Sequence, residues 1–169
     1  MSASKHRRLW LYDAAQLLIS IEKAMEIPSE TDWGAIDGRD LDAQWAFKTF
    51  LGKSFAEAEA MFQSNALHYQ EDLQSMPAAP FNYYAPALVK YITSERAKGD
   101  SDGASSFLHL ICWLLKSNRQ VMKPETERAL VKAARYVAQR QEFYEAGVDI
   151  YGKFDDLHAE IQQLARQDA

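Results

Sequence analysis

This sequence has few of the residues that cross-link or interrupt a polypeptide chain. Its 169 residues include a single cysteine, Cys112, so no disulfide can form within the chain, and a reducing, cytoplasmic location is predicted. Seven glycines and five prolines, with no run rich in either, indicate neither a flexible linker nor a low-complexity tail. We therefore expect a single domain over residues 1–169.

Long hydrophobic runs are also missing. The longest, at residues 110–115, has six residues, and the runs near the start, at 9–12 and 17–19, are shorter; none is long enough to span a membrane or to form a secretory signal. The chain has a net charge of −5 and a pI of about 5.4, with no basic stripe that would neutralise nucleic-acid phosphates. Neither a membrane nor a nucleic acid is expected as a partner.

Positive charge is absent from one long segment of the chain. No Lys or Arg occurs between Ser54 and Val89, and the window from Ser29 to Val89 holds nine acids against three bases, a local net charge of −6. The rest of the chain has 15 acids and 16 bases and is nearly neutral. The net charge therefore lies in one region, which indicates a surface suited to a positively charged partner.

Apolar residues recur at helical spacing, and no segment longer than four residues alternates between apolar and polar as a strand would. The spacing predicts an all-α fold of about seven helices, packed as an antiparallel bundle or as stacked helical hairpins. A loop is expected at 29–40, and a capping box of Ser54 and Glu57 should begin the third helix, after a stop at Gly52. The helices are expected at residues 11–25, 41–51, 54–76, 86–97, 104–117, 124–146 and 154–164, with the fifth enclosed by the others.

Two short stretches match ligand-binding loops only in part. Residues 52–54 resemble the end of a phosphate-binding loop, but Phe47 stands where its first glycine is required. Residues 100–103 resemble part of a calcium loop, but the twelfth position is apolar instead of a bidentate carboxylate. We interpret the first as a turn between helices and the second as a helix cap formed by Asp102 or Ser101. No cofactor is predicted.

His68 and Asp72 form the clearest polar pair in the sequence. They lie four positions apart on the predicted third helix, with Asn65 and Glu71 close by. The pair could bind a divalent metal or act as a base with an orienting carboxylate, but a catalytic metal needs about three protein ligands. A solvated or partner-contacting helix face is the favoured interpretation, and no metal site is predicted.

Cys112 lies in the most apolar predicted helix, beside Trp113, which indicates a buried and inert thiol. His109 precedes it by three residues on a compatible helical face, so a thiol-dependent site is an alternative. The sequence contains no nucleophile elbow, dithiol, zinc-protease or dinucleotide-binding motif. It therefore predicts a protein that is not an enzyme.

An aromatic segment follows the acidic one. Tyr83 and Tyr84 lie between Pro80 and Pro86, where their rings either pack in the core or form part of an exposed aromatic surface. We expect at least one of the tyrosines in this region to be exposed, because tyrosine is common in protein interfaces.

Several stretches resemble small helical bacterial proteins, some of them similar to the immunity proteins that accompany secreted antibacterial toxins. The resemblance covers about residues 45 to 115 and rests on residues 50–58, 69–73, 76–77 and 99–103, with Phe81, Tyr83 and Tyr84. It implies a stoichiometric inhibitor held in the cytoplasm of the producing cell, and it assigns no binding residues.

The leading hypothesis is a non-catalytic protein that binds a basic toxin or effector through an acidic, aromatic-bearing face. One alternative is a metal-dependent or thiol-dependent enzyme that uses His68 with Asp72, or Cys112 with His109. Another is a regulatory or scaffolding homodimer joined through the final apolar stripe, residues 154–164. The candidate partner contacts are Glu57, Glu59, His68, Glu71, Asp72, Tyr83 and Tyr84.

Overall fold

The computed structural model describes residues 26–167, in which all regular secondary structure is helical. The prediction of an all-α fold is confirmed for these residues, and the helix expected at residues 11–25 lies outside them. Two short 3-10 turns, Glu95–Ala97 and Arg119–Val121, lie between α-helices. The nine α-helices of the described part are α1 (Glu30–Trp33), α2 (Leu41–Phe50), α3 (Phe55–Ser64), α4 (Ala66–Gln74), α5 (Ala78–Ile92), α6 (Ser101–Ser117), α7 (Pro124–Ala138), α8 (Val148–Tyr151) and α9 (Phe154–Arg166).

The acidic segment at residues 29–40, expected to be a loop, contains the single turn of α1. The carboxylate of Asp32 accepts a hydrogen bond from the backbone amide of Ser29 at 2.8 Å, which satisfies a donor at the start of the turn. Trp33 is buried at the end of α1, with its ring edge-on to Phe47 of α2 at a centroid distance of 5.4 Å. One acid of this segment therefore stabilises the local fold.

The single helix expected at residues 54–76 is two helices. The capping box at its start is confirmed, since the amide of Glu57 donates to Ser54 Oγ at 3.2 Å and the amide of Ser54 donates to Glu57 Oε2 at 2.8 Å. Asn65 ends α3 with an extended backbone, φ −163°, and its side chain accepts a hydrogen bond from the amide of His68. Asparagine offers the next turn a cap, which makes a fresh helix start favourable here.

Helix α5 starts eight residues earlier than expected, at Ala78, and ends at Ile92. Pro80 lies in its first turn, where a missing amide costs no hydrogen bond, and Pro86 lies inside it. Most side chains of α5 are buried, and its packing against α1, α3, α4 and α7 offsets the hydrogen bond lost at Pro86. The prediction that a helix begins at Pro86 is wrong because burial outweighs the local cost of the proline.

Later boundaries also differ from the expected ones. Asp100, and neither Asp102 nor Ser101, caps α6, because its Oδ1 accepts the amide hydrogen of Gly103 at 2.9 Å. Helix α7 ends at Ala138 instead of continuing to residue 146, and turns precede α8, which was not expected. The second helix ends as predicted, with Gly52 at φ +73° just after it.

Apart from Ala129 and Tyr136, the buried apolar side chains of the described residues form one hydrophobic cluster. Helix α6 corresponds to the helix predicted at residues 104–117. It contributes most of its length to this core and packs against α4, α7 and α9, so the prediction that other helices enclose it is confirmed in outline. Its enclosure is incomplete, since His109 is exposed and Trp113 is half-buried. Within residues 26–167 no helix combines the length and apolar character needed to cross a bilayer.

Candidate functional site

The seven predicted contact residues divide into two groups. Glu57, His68 and Glu71 are exposed. The other four are buried, so the expectation that Glu59 and Asp72 face outwards is wrong. The expectation that at least one tyrosine of this region is exposed is also wrong, because every tyrosine of residues 80–91 is buried. The buried residues, with their exposed fractions, are Glu59 (6%), Asp72 (7%), Tyr83 (5%) and Tyr84 (0%).

Glu59 is buried because the side of α3 that carries it faces α5. Its carboxylate forms ion pairs with Lys90, at 3.0 Å from Nζ, and with Arg96. Both cations are about half exposed, while the carboxylate between them is shielded from water. Glu59 therefore links α3 to α5 and to the turn that follows it, and it is not available to a partner.

Asp72 is a buried carboxylate in an unfavourable setting. Its Oδ2 atom has no hydrogen-bond partner in the structure, and burial raises the pKa of the carboxyl group to about 6. The negative charges of Glu71 and Asp42 add to this increase, while His68 opposes it. Asp42 belongs to α2 and the other three groups to α4, so this carboxyl group lies where the two helices meet. Within the described residues no set of three or more acids, histidines or cysteines is arranged to hold a metal ion.

Tyr83 and Tyr84 belong to the core of the described region. The hydroxyl of Tyr84 donates a hydrogen bond to the carbonyl oxygen of Phe50 at 2.6 Å. The carbonyl oxygen of Lys53 is also within hydrogen-bond distance of this hydroxyl, at 3.0 Å. These carbonyls lie at and just beyond the end of α2, where helical partners are lacking, so Tyr84 completes that helix terminus. The ring of Tyr83 packs edge-on against Phe55 of α3.

The sequence interpretation missed an exposed apolar pair on α2. Leu41 is 74% exposed and Trp45 is 57% exposed, and their spacing of four residues places them on one face. The opposite face of α2 buries Ala46 and Phe50. A signal was available in the sequence, because a helix of ten residues cannot bury apolar side chains at 41, 45, 46, 47 and 50 on a single stripe.

A groove of about 460 Å³ lies between α2, α3 and α4. Thr49, one helical turn beyond Trp45, lies on its wall together with Met61 and Tyr69. The exposed carboxylate of Glu57 also lines the groove, although its hydrogen bonds to Ser54 hold it at the start of α3. The groove therefore combines apolar groups with one acid, Glu57, and one base, Lys53, and it shares α2 with the exposed pair.

The groups proposed for thiol chemistry have different environments. Cys112 is buried, whereas His109, one turn earlier, is exposed. Burial raises the pKa of the Cys112 thiol, and the charge of Glu160 adds to the increase. A nucleophilic cysteine requires the opposite shift, towards the thiolate.

The apolar stripe proposed as a dimer interface packs within the chain. Phe154 and Ile161 are fully buried, and Leu157 and Leu164 are half-buried against the same core. Helix α9 makes these contacts with α6 and α7. This surface is therefore occupied in one copy of the protein.

Comparison of the chain with protein-family models, with curated proteins and with solved structures finds no match. No relative therefore supplies site residues.

Proposed function

We propose that this protein is a non-catalytic binding protein, an immunity-type inhibitor of a basic toxin or effector. The observation that carries the proposal is Trp45, exposed beside Leu41 on the outer face of α2. Aromatic side chains of this kind are the usual centres of protein interfaces, because one rigid ring removes a large apolar area from water.

The apolar contribution can be estimated from the exposure of Trp45. Burying the exposed 57% of the residue removes about 140 Å² of surface from water, which is worth about 3 kcal/mol. Leu41 and the groove walls at Met61 and Tyr69 extend the area that a partner can cover. An anchor of this strength accounts for a substantial part of a stable complex.

The charge around Trp45 favours a basic partner. Asp37, Asp40 and Asp42 are exposed just before or at the start of α2. Arg39 forms an ion pair with Asp37 at 3.3 Å, so Asp40 and Asp42 supply the negative charge here that is unpaired within residues 26–167, and Lys48 is the other base close to them in the chain. Acids around an apolar centre speed the encounter with a basic surface and disfavour acidic competitors. The proposed face therefore keeps Glu57, His68 and Glu71 from the sequence prediction and takes its aromatic group from Trp45. Glu59, Asp72, Tyr83 and Tyr84 are assigned structural roles.

We also infer that the helices are arranged as an antiparallel bundle or as stacked hairpins. Helices α6 and α7 pack on each other and are joined by a short connection, as are α3 and α4. Short connections between packed helices are typical of both arrangements.

The test measures binding of the purified protein to basic proteins encoded by the adjacent reading frames, by surface plasmon resonance at low and high salt. Trp45→Ala should weaken the complex by about 30- to 150-fold, corresponding to about 2–3 kcal/mol, mainly through faster dissociation. Ile150→Ala is the matched control, because Ile150 is an exposed aliphatic residue, 80% accessible, outside the proposed face.

Charge is tested separately from the apolar anchor. Asp42→Asn with Glu71→Gln should slow association and flatten its salt dependence, whereas Glu142→Gln with Asp149→Asn, which removes two exposed acids elsewhere, should not. Co-expression with the bound protein should also restore growth if that protein is toxic. Wild-type affinity in Trp45→Ala, or no binding to any of these products, would rule the proposal out.

A further inference from the structure

A second surface of the protein carries the opposite charge. A groove of about 360 Å³ lies between α7 and α9, and Arg128, Lys132 and Arg135 line it from α7. Spacings of four and three residues place these cations on one side of the helix. His158 of α9 lies across the groove. This is a local concentration of positive charge in a chain whose net charge is −5.

The guanidinium groups of Arg128 and Arg135 are available to a ligand. Both residues are exposed, and neither guanidinium forms a hydrogen bond or an ion pair with any of residues 26–167. The acid of the groove wall, Glu127, is bound to Arg119, whose Nε lies 3.0 Å from Glu127 Oε2. The carboxylate of Glu127 is therefore paired with Arg119 and does not bind the guanidinium of Arg128 or of Arg135.

His158 responds to this environment. Burial lowers the pKa of its imidazole, the positive charge of Arg135 lowers it further, and Asp155 partly opposes both effects. A bound anion would stabilise the imidazolium and raise this pKa. The pKa of His158 should therefore rise when an anion binds in the groove, and its measurement can detect binding.

We propose that this groove binds an acidic polypeptide segment with two or more carboxylates. Arg128 and Arg135 are separated by about 10 Å along α7, at a rise of 1.5 Å per residue. In an extended segment every second side chain points to the same side, so carboxylates two residues apart are about 7 Å apart, and the flexible arginine and glutamate side chains can cover the remaining distance. Val131 and Ala165 provide apolar contact for the methylene groups of such side chains. This site is separate from the proposed Trp45 face and takes a ligand of opposite charge.

The lining does not favour a nucleic acid. Among the described residues that line the groove, the imidazole of His158 is the only ring, so a run of bases would have a single small ring on which to stack. A carboxylate-rich segment needs no such surface, because its interaction is with the cations and with the aliphatic floor.

The test uses a hexaglutamate peptide with both termini blocked, and inorganic phosphate at matched ionic strength. NMR titration of the full chain should show that the peptide raises the pKa of His158 and that binding weakens with salt. Arg128→Gln with Arg135→Gln should lower the affinity for the peptide by about 2- to 30-fold, the range expected for two exposed ion pairs. Lys98→Gln with Lys153→Gln is the control, since it removes two exposed cations elsewhere.

The outcomes separate the possible occupants. A rise in the pKa of His158 that is lost in the arginine double variant and kept in the lysine control supports the proposal. An equal effect of phosphate would assign the groove to small anions and overturn it. So would equal weakening in both double variants, or a rise in the pKa of His158 when the protein alone is concentrated, which would assign the groove to a second copy of this chain.

Discussion

Replacement of Asp72 by asparagine should stabilise this protein at neutral pH. The carboxyl group is buried, Oδ2 has no hydrogen-bond partner, and the pKa is raised from 3.8 to about 6. A difference of about 2 in pKa between the folded and unfolded states corresponds to about 3 kcal/mol. Because the residue retains some exposure and His68 lies close by, we expect Asp72→Asn to increase the free energy of unfolding by about 1–3 kcal/mol.

The stabilisation by Asp72→Asn should increase with pH. The folded state holds the proton of Asp72 more tightly than the unfolded state, so the benefit of protonation is complete below pH 3.8 and is lost as the pH rises through about 6. Asparagine stays neutral throughout. The stabilisation by Asp72→Asn should therefore be negligible below pH 3.8, grow through this interval and reach a plateau above pH 6.

Urea denaturation followed by far-ultraviolet circular dichroism measures the effect on both sides of this pH interval. Glu142→Gln, which neutralises an exposed acid, is the control and should change stability by less than about 0.5 kcal/mol. A destabilised Asp72→Asn at neutral pH would refute the reasoning. A gain that is the same at every pH would also refute it, because the cause would then be packing and not charge.

Three further predictions concern buried groups. Asn82→Ala should lower the free energy of unfolding, measured by urea denaturation, by about 2–4 kcal/mol. The Asn82 side chain donates to the carbonyls of Ala78 and Val121 and accepts from the amide of Lys123, and all three hydrogen bonds would be lost. A loss of stability no larger than that caused by an alanine substitution at an exposed site would contradict this prediction. Tyr84→Phe should cost about 1–2 kcal/mol by the same measurement, and an unchanged midpoint would show that its hydroxyl contributes nothing. Cys112 should react with a thiol reagent only as fast as the protein unfolds, and rapid labelling of the native protein would disprove its burial.

The helical class was predictable because apolar spacing and local caps act within a few residues. The capping box at Ser54 and Glu57 depends on such neighbours and was recognised correctly. The break at Asn65 was missed because the apolar stripe from Phe55 to Leu73 continues in register across it, and periodicity alone does not reveal a change of axis. The start of α5 was missed for the opposite reason, since the effect of Pro86 was judged locally while tertiary packing decides it.

The candidate surface was less predictable than the fold. Glu59 meets Lys90 and Arg96, which are more than thirty positions away in the chain, so a count of local charge could not reveal that it is paired. Trp45 could have been found, because apolar residues exceeded what one face of α2 can bury.

The hydrogen bond from Tyr84 to the last carbonyl of α2 has a consequence for recognition. The helix that presents Trp45 is held at its carboxyl end by a hydroxyl group from α5, in the interior. Such an anchor reduces the freedom of α2 before any partner arrives, so less conformational entropy is lost when a complex forms. Preorganisation of the proposed face is thus determined in part by a residue that no partner can touch, and a change in the core at Tyr84 would alter affinity at a distance.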